Sequence, residues 1–304
     1  MEMAGSRFDR VVADLLEDYS RARLQTWIKQ GLIVLDGQTV PPRQRVKGGE
    51  IMGAELPELA SSASEVAAEP ISFDIVFEDD QVIVINKPPG MVMHTAPGNY
   101  AGTMQNGLLN YAPQLSSIPR AGIVHRLDKD TSGLVMIAKT LTAHNSLVQQ
   151  LQDRRVHRVY DAILTGVPVA GGTINEPIGR HQVDRKRMAV TERGKSAVTH
   201  YRIAEKFPRH CHVRVKLETG RTHQIRVHLS HIQYPLVGDT VYGGRRKIPA
   251  GVSDLVKTTV VKFPRQALNA SELGIVHPVS GEEVRWNMDL PEDMNALLET
   301  LRAG

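Results

Sequence analysis

The chain has 304 residues, of which 41% are hydrophobic, so it is long enough for one large core or for a small domain beside a larger one. Its single cysteine, Cys211, excludes an intramolecular disulfide and a multi-cysteine zinc site. The formal net charge is only +4, which permits nucleic-acid binding without requiring it.

The sequence contains no long apolar run of the kind that spans a membrane. Acidic residues lie between Met1 and Asp14, where a signal peptide would need a basic start and an apolar middle. A single cysteine fits a reducing compartment. We therefore expect a soluble, cytoplasmic protein that binds no membrane.

The N-terminal part of the sequence is typical of a small, compact domain. Apolar spacing predicts one helix from Phe8 to Leu16 and a second helix that ends near Gly31. A hairpin should follow, with strands at 32–35 and 38–40. Its tight turn would be formed by Asp36-Gly37, a dipeptide that favours positive dihedral angles.

Cations are concentrated in this part of the chain, and Ser20 predicts an N-cap that places the positive end of a helix beside Arg21 and Arg23. A generic charge run is more often a solvated helix face. Three motifs occur here: Ser6-Arg7-Phe8-Asp9, Tyr19-Ser20-Arg21-Ala22-Arg23-Leu24 and Ile33-Val34-Leu35-Asp36-Gly37-Gln38. Together they resemble the S4 RNA-binding domain, which implies that Arg21 and Arg23 contact RNA.

Beyond the N-terminal part, the composition changes to Ala, Ser, Glu and Pro, which indicates a flexible linker. The remainder predicts a mixed α+β domain with much antiparallel sheet. Its predicted strands lie at 75–77, 82–85, 156–164, 196–203, 212–217 and 274–276, and its predicted helices at 143–151 and 221–232. We therefore expect a small domain at 1–55, a linker at 56–70 and a larger domain at 71–304.

The densest polar cluster of the sequence lies within Gly122-Ile123-Val124-His125-Arg126-Leu127-Asp128-Lys129-Asp130-Thr131-Ser132-Gly133-Leu134, between a short apolar run and the predicted strand Leu134 to Ala138. A charged surface turn is the plainer interpretation of such a run. Two features oppose it. The cluster lies between core-like segments, and it combines a carboxylate, cations and hydroxyls, the groups that enzymes place on loops held by a rigid sheet.

This cluster closely resembles the motif of the RluA family of pseudouridine synthases, in which His-Arg-Leu-Asp is followed by Thr-Ser-Gly or Thr-Thr-Gly. The resemblance extends over almost the whole chain. Further blocks of the family pattern follow in order: Ile85-Asn86-Lys87-Pro88, His157-Arg158-Val159-Tyr160, Ala197-Val198-Thr199-His200-Tyr201, 217–229, 235–244, Arg265-Gln266-Ala267-Leu268 and His277-Pro278.

The resemblance implies an α+β protein in which a small S4-type RNA-binding domain is joined to a pseudouridine synthase catalytic domain on a mixed, largely antiparallel β-sheet. It implies isomerisation of uridine to pseudouridine in large-subunit ribosomal RNA, in a stem-loop near the decoding centre. The expected partners are this RNA or pre-ribosomal particles. The reaction needs no cofactor and no metal, and we expect a monomer.

The resemblance also assigns roles to individual residues. Asp128 is the essential catalytic carboxylate, although the sequence leaves open whether it attacks C1′, adds to C6 or removes a proton at C2′. Tyr160 stacks on the uracil and assists proton removal at C5. Arg221 pairs with Asp128 and keeps it ionised. Arg126 fills the space that the flipped base vacates.

The helix predicted over 221–232 supports Arg221 as the partner of Asp128. On this helix, Arg221 would lie on the same face as apolar residues, at spacings of three and four. Arg226 is the weaker candidate for this pairing and is assigned, with His125, to RNA binding. The histidines of this segment have spacings that fit zinc poorly: His223, His228 and His231.

Two other functions remain open at this point. One is a non-catalytic RNA-binding or ribosome-assembly factor with a degenerate catalytic domain, which the retained Asp128, Tyr160 and Arg221 oppose. The other is an enzyme with a cysteine nucleophile, but Cys211 lies outside any matching motif. The basic segment 180–188 fits a phosphate-contacting loop and a solvated loop equally well.

Overall fold

The computed structural model describes residues 3–16, 21–55, 66–96, 98–184, 187–243 and 251–304. The chain divides into two compact units, Met1–Glu65 and Val66–Gly304. The predicted linker at 56–70 lies mostly outside the described residues, so the predicted domain boundaries stay predictions.

The first unit is a small helical domain with a short β-ladder. Its elements are α1 (Phe8–Leu15), α2 (Arg21–Lys29), β1 (Ile33–Leu35) and β2 (Met52–Ala54). Phe8, Val12, Leu24, Ile28 and Ile33 are completely buried and form its core. The apolar spacing of the sequence therefore predicted both helices correctly, because the residues at helical spacing face inward.

The predicted hairpin of this unit is half right. Asp36 and Gly37 both adopt positive φ, at 49° and 73°, as a tight turn requires. The predicted second strand at 38–40 is wrong, since Gln38 makes only a single bridge and β1 pairs antiparallel with β2. Pro41-Pro42 follows directly, and proline lacks the N–H that would continue a ladder.

The second unit is built on a large sheet. Its strands are β3 (Asp74–Glu78), β4 (Val82–Lys87), β5 (Ser132–Ala138), β6 (His157–Thr165), β7 (Gly172–Asn175), β8 (Ile178–Arg180), β9 (Met188–Val190), β10 (Val198–Lys206), β11 (His210–Leu217), β12 (Leu268–Val276) and β13 (Glu283–Asn287). Its helices are α3 (Met104–Tyr111), α4 (Leu141–Gln152), α5 (Gln224–His231), α6 (Asp254–Lys262) and α7 (Glu292–Ala303).

Nine of these strands form one sheet in the order β3-β4-β5-β12-β6-β11-β10-β7, with β13 paired to β12. Only β5 and β12 run parallel, and the other neighbours are antiparallel. Strands β8 and β9 form a separate hairpin. The predicted fold class, α+β with a mixed and largely antiparallel sheet, is confirmed. Within the described ranges, every helix is too short or too polar to cross a membrane.

The central strands are buried on both faces. In β4, Ile83 and Ile85 pack into a core that includes residues of α3, whereas Val82 and Val84 pack into a second core that includes residues of α4. Each of these side chains is fully buried, which stabilises the fold by roughly 1.5–3 kcal/mol per side chain. The middle of the sheet is therefore a rigid platform.

The sheet opens between its two parallel strands. β5 and β12 pair only over Ser132-Gly133 and Asn269-Ala270. The segment 123–125 lies beside the rest of β5, where the N–H of Met136 donates to Nε2 of His125 at 3.0 Å. The polar cluster of the sequence follows this segment and is thus fixed at the N-terminal end of β5.

Gly133 allows the close approach of β5 and β12. Its φ is 106°, and a Cβ atom at this position would lie 2.2 Å from the carbonyl oxygen of Ala270. We expect Gly133→Ala to lower the free energy of unfolding by about 3 kcal/mol or more, because a left-handed backbone and a steric clash combine. Urea unfolding would measure this loss.

Gly90→Ala is the matched control for this substitution. Gly90 also has a positive φ, 86°, but a Cβ atom there would meet open space. Only the backbone cost of roughly 1–2 kcal/mol should remain. Equal losses in the two variants would show that the contact with Ala270 is unimportant.

Candidate active site

A cleft of about 570 Å³ lies beside the polar cluster. It is bounded by the segment that precedes β5, by β6, and by the turn that leads from β11 into α5. Most of the predicted site residues line it: His125, Arg126, Asp128, Tyr160, Arg221 and Arg226. The other two, Arg21 and Arg23, belong to α2, and their side chains lie outside the described residues.

Asp128 is held in this cleft through one of its two carboxylate oxygens. Nη1 of Arg226 donates to Oδ2 of Asp128 at 3.0 Å. The same guanidinium donates from Nε and Nη2 to the carboxylate of Asp239, at 2.7 and 3.0 Å. The planar fork of arginine permits this double engagement. Within the described part of the chain, Oδ1 of Asp128 accepts no hydrogen bond.

Asp239 anchors this arrangement from the protein interior. Its side chain is completely buried and also accepts the N–H groups of Val241 and Tyr242, at 2.9 and 3.0 Å. Burial by itself would raise the pKa of Asp239, but the hydrogen bonds from Arg226 and these amides hold it below its usual range. Burial would lower the pKa of Arg226, but the bond to Asp239 raises it. Both groups are therefore charged at neutral pH.

The structure places Arg226, and not Arg221, against Asp128, which corrects the predicted pairing. Helix α5 begins at Gln224, so Arg221 precedes the helix, is exposed, and donates through Nε to the carbonyl oxygen of Ser196 at 3.0 Å. The assignment of Arg226 to RNA binding stays a prediction that its contacts do not favour. Its side chain is 6% exposed and is engaged by two carboxylates, which leaves little of it for RNA.

His223 lines the cleft and Tyr242 supports it from behind, although the sequence analysis gave neither a role in catalysis. Nε2 of His223 lies 3.9 Å from Oδ1 of Asp128, and Nδ1 hydrogen-bonds the hydroxyl of Tyr242 at 2.7 Å. Burial lowers the pKa of His223, so the imidazole is neutral at neutral pH. His223 also has a φ of 57°, a strained conformation for a residue other than glycine and one that is common at functional sites.

Tyr160 forms part of the cleft wall on strand β6. Its side chain is 6% exposed, and burial raises the pKa of its hydroxyl. Arg158 lies two residues earlier on the same strand face, since alternate residues of a strand point the same way. Arg158 also lines the cleft, and the sequence gave it no role beyond its place in a family block.

His125 is half-buried in the cleft wall and supports the turn. Burial lowers its pKa to about 3, with smaller contributions from Arg158 and His94, so the ring is neutral. Its Nε2 accepts the N–H of Met136. The predicted contact between His125 and RNA stays a prediction.

The rim of the cleft carries exposed cations. Arg126 follows His125, is exposed, and makes no ion pair within the described ranges. Arg120 lines the same cleft and has a φ of 56°, with Ala121 at 52°. Two left-handed residues in succession strain the backbone and are maintained only where the surroundings enforce them. Together with Arg221, these side chains give the rim a positive charge that suits phosphate groups.

Comparison with known proteins places the chain in a family. The family model described as RNA pseudouridylate synthase matches residues 81–231, and the S4 domain model matches residues 6–51. The ribosomal large subunit pseudouridine synthase D of Pseudomonas aeruginosa is 52% identical over 99% of this chain and 93% of its own length. The protein of that name from Escherichia coli K12 is 49% identical over 98% of this chain and 91% of its own length.

A solved human structure shares the fold. RNA pseudouridylate synthase domain containing 4 superposes with a TM-score of 0.59 and 26% identity, over 75% of this chain and 92% of its own. The chain is thus an RNA-modifying enzyme that carries an S4 domain. It belongs to the RNA pseudouridylate synthase family.

Asp239→Asn tests the buried anchor of the site. The substitution leaves the buried guanidinium of Arg226 with a weaker partner, so we expect it to lower the free energy of unfolding by about 3 kcal/mol. Because the fold lowers the pKa of Asp239, the carboxylate stabilises the protein above its unfolded value of 3.8. This stabilisation is lost as the pH falls through the folded pKa.

Urea unfolding of both proteins across pH would test the expectation. The stability difference should be constant near neutral pH and should shrink below about pH 3.8. Glu205→Gln is the control, since Glu205 forms an exposed ion pair with Arg302 and its removal should have a far smaller effect. A difference that grew with acidification would contradict the lowered pKa of Asp239.

Proposed function

We propose that this enzyme converts specific uridines to pseudouridine in large-subunit ribosomal RNA, in a stem-loop near the decoding centre, with Asp128 as the essential catalytic group. The observation that carries the proposal is the carboxylate of Asp128, which is fixed through one oxygen by Arg226 while the other oxygen stays uncommitted. The names of relatives that align with nearly the whole chain support the choice of RNA.

The reaction exchanges one bond to the sugar for another. The bond between N1 of uracil and C1′ breaks, the uracil turns, and C5 bonds to the same carbon. A proton leaves C5 and N1 gains one, so there is no net oxidation or reduction. Such chemistry needs a carboxylate beside the sugar and a water-poor pocket for the detached base. We assign this role to Asp128, whose side chain is 15% exposed and whose Oδ1 is the available oxygen.

We assign the ring of Tyr160 to the face of the uracil. The residue is buried in the cleft wall, where an aromatic ring offers a flat apolar surface for stacking. Its raised pKa makes the ionised hydroxyl unfavourable. Tyr160 therefore supports the base mainly through its ring, and its hydroxyl remains protonated at neutral pH.

We assign Arg126 to base displacement. A uridine in structured RNA has to leave its stack before its C1′ atom can be approached, at a cost of roughly a few kcal/mol. Arg126 is exposed, lies two residues from Asp128 and carries a planar cation that can occupy the vacated space. Arg120 and Arg221 on the same rim would contact neighbouring phosphates.

Asp128→Asn tests the catalytic assignment. The amide keeps the size of the side chain and can still accept from Arg226, but it loses the charge. We expect conversion of uridine in a large-subunit rRNA fragment to fall by at least about a thousandfold, with RNA affinity retained. Mass spectrometry of the RNA would measure conversion, and filter binding would measure affinity.

Asp130→Asn is the matched control, because Asp130 belongs to the same loop but does not line the cleft. It should remain active. Full activity of Asp128→Asn would disprove the role of Asp128. A wild-type protein that binds the RNA but converts no uridine would instead support the non-catalytic assembly factor.

Deletion of residues 1–60 tests the S4 domain. The second unit has its own hydrophobic cores, so the active site should survive the deletion. We expect weaker binding to natural rRNA and a shallower dependence of affinity on salt, because fewer cations contact phosphates. Unchanged affinity and salt dependence would show that this domain contributes nothing to binding.

A further inference from the structure

Arg158 is a buried cation without an anionic partner. Arg158 is 6% exposed, and it forms no ion pair with any residue that the structure describes. Its Nε has no hydrogen-bond partner. Nη2 reaches only the carbonyl oxygen of Glu218, at 3.5 Å, which is the outer limit of a hydrogen bond. A buried charge in this state opposes folding, so its presence calls for an explanation.

The two acidic residues that line the cleft together with Arg158 direct their carboxylates to other cations. The side chain of Glu218 pairs with Arg154 at 2.9 Å and with His200 at 2.7 Å. Asp128 pairs with Arg226. The acidic side chains of the cleft thus serve other partners, and the donors of Arg158 remain available for a ligand.

The surrounding backbone keeps room for this guanidinium. A Cβ atom at Gly220 would lie 2.8 Å from Nη1 of Arg158. Arg158 also shares a strand face with Tyr160, roughly 6–7 Å along the strand. Its charge opposes the rise that burial causes in the pKa of Tyr160 and adds to the fall that burial causes in the pKa of His125, as a cation close to both residues would. Arg158 therefore lies deep in the cleft, beside the residue assigned to the uracil ring.

We propose that Arg158 binds the carbonyl oxygens of the flipped uracil and stabilises the negative charge that this ring gains during the reaction. The inference rests on the proposed function for the identity of the reaction. When the N1–C1′ bond breaks, its electron pair leaves with N1, and the charge spreads over N1 and the carbonyl oxygens. C5 then donates an electron pair to C1′, after which C5 loses its proton and N1 gains one.

Donors fixed where charge develops are an effective form of catalysis, because they need no reorganisation during the step. Arginine suits this role, since it remains charged even when it is buried. A phosphate is the alternative ligand for a free guanidinium. The burial of Arg158 favours uracil over phosphate, because the exposed rim cations Arg120 and Arg221 are the ones assigned to the RNA backbone.

Arg158→Met tests the proposal, because methionine is also long and unbranched but carries no charge. We expect the melting temperature to stay constant or to rise, since an uncompensated buried charge is removed. The single-turnover rate constant on an rRNA fragment should fall by about 10²–10³-fold, with a much smaller loss of RNA affinity and an unchanged salt dependence, because phosphate contacts dominate binding. Arg285→Met, at an exposed arginine of β13, should change none of these quantities.

A second substrate tests whether Arg158 acts on developing charge. In RNA with 5-fluorouridine at the target position, fluorine withdraws electrons and stabilises the ring anion. The rate loss caused by Arg158→Met, followed as consumption of the modified nucleoside, should be smaller on this RNA. An equal loss on both substrates would exclude stabilisation of ring charge.

Other results would overturn the proposal in distinct ways. A lower melting temperature of Arg158→Met would make Arg158 a structural cation. Weaker RNA binding with a shallower salt dependence would make it a phosphate contact. Wild-type rates in Arg158→Met, with the wild type active and Asp128→Asn inactive, would disprove this inference and leave the proposed function intact.

Discussion

The site depends on one guanidinium that two carboxylates share. Asp239, which is fully buried, accepts hydrogen bonds from two nitrogens of the Arg226 guanidinium, and Asp128 accepts one from the third nitrogen. Asp239 balances most of the positive charge of Arg226. Arg226 therefore orients Asp128 but leaves most of its negative charge uncompensated. This division explains how Asp128 can be well ordered and still keep one oxygen available.

The geometry of Arg226 is in turn set by the start of α5. Oε1 of Gln224 accepts hydrogen bonds from the hydroxyl of Thr219 at 2.8 Å and from the N–H of Arg221 at 3.0 Å. These bonds, with the left-handed backbone of His223, hold the preceding turn outside the helix. Arg226 then falls on the buried side of the first helical turn, where it meets both carboxylates.

The start of α5 is a feature that the sequence did not predict correctly. Apolar spacing predicted a helix in this segment. It could not reveal that hydrogen bonds to the side chain of Gln224 hold the preceding residues outside the helix. The resemblance had assigned the pairing to Arg221, and a helix extended back to that residue supported the wrong arginine. Asp128, in contrast, could be singled out because its motif is local and continuous, and the Asp36-Gly37 turn because its backbone preference resides in two residues.

Pairings between distant segments escaped prediction for a different reason. β12 inserts between β5 and β6, although β5 and β6 are closer to each other in sequence. The partner of β1 likewise lies beyond two prolines, at β2. Strand propensity indicates that a segment can join a sheet, but the neighbour is chosen by packing across the whole unit. The opening of the sheet between β5 and β12, near Asp128, results from this packing.

Arg158 and Arg226 are two buried cations of one cleft with opposite environments. Arg226 is paired twice, whereas Arg158 lacks an anion among the described residues. A reaction that creates an anionic ring beside Asp128 would bring two negative charges into one small cleft. If the ring relied on Arg226, it would compete with Asp128 for the cation that orients the carboxylate. A separate, unpaired cation removes this competition, and the stability lost by leaving it unpaired is offset only when the uracil is bound.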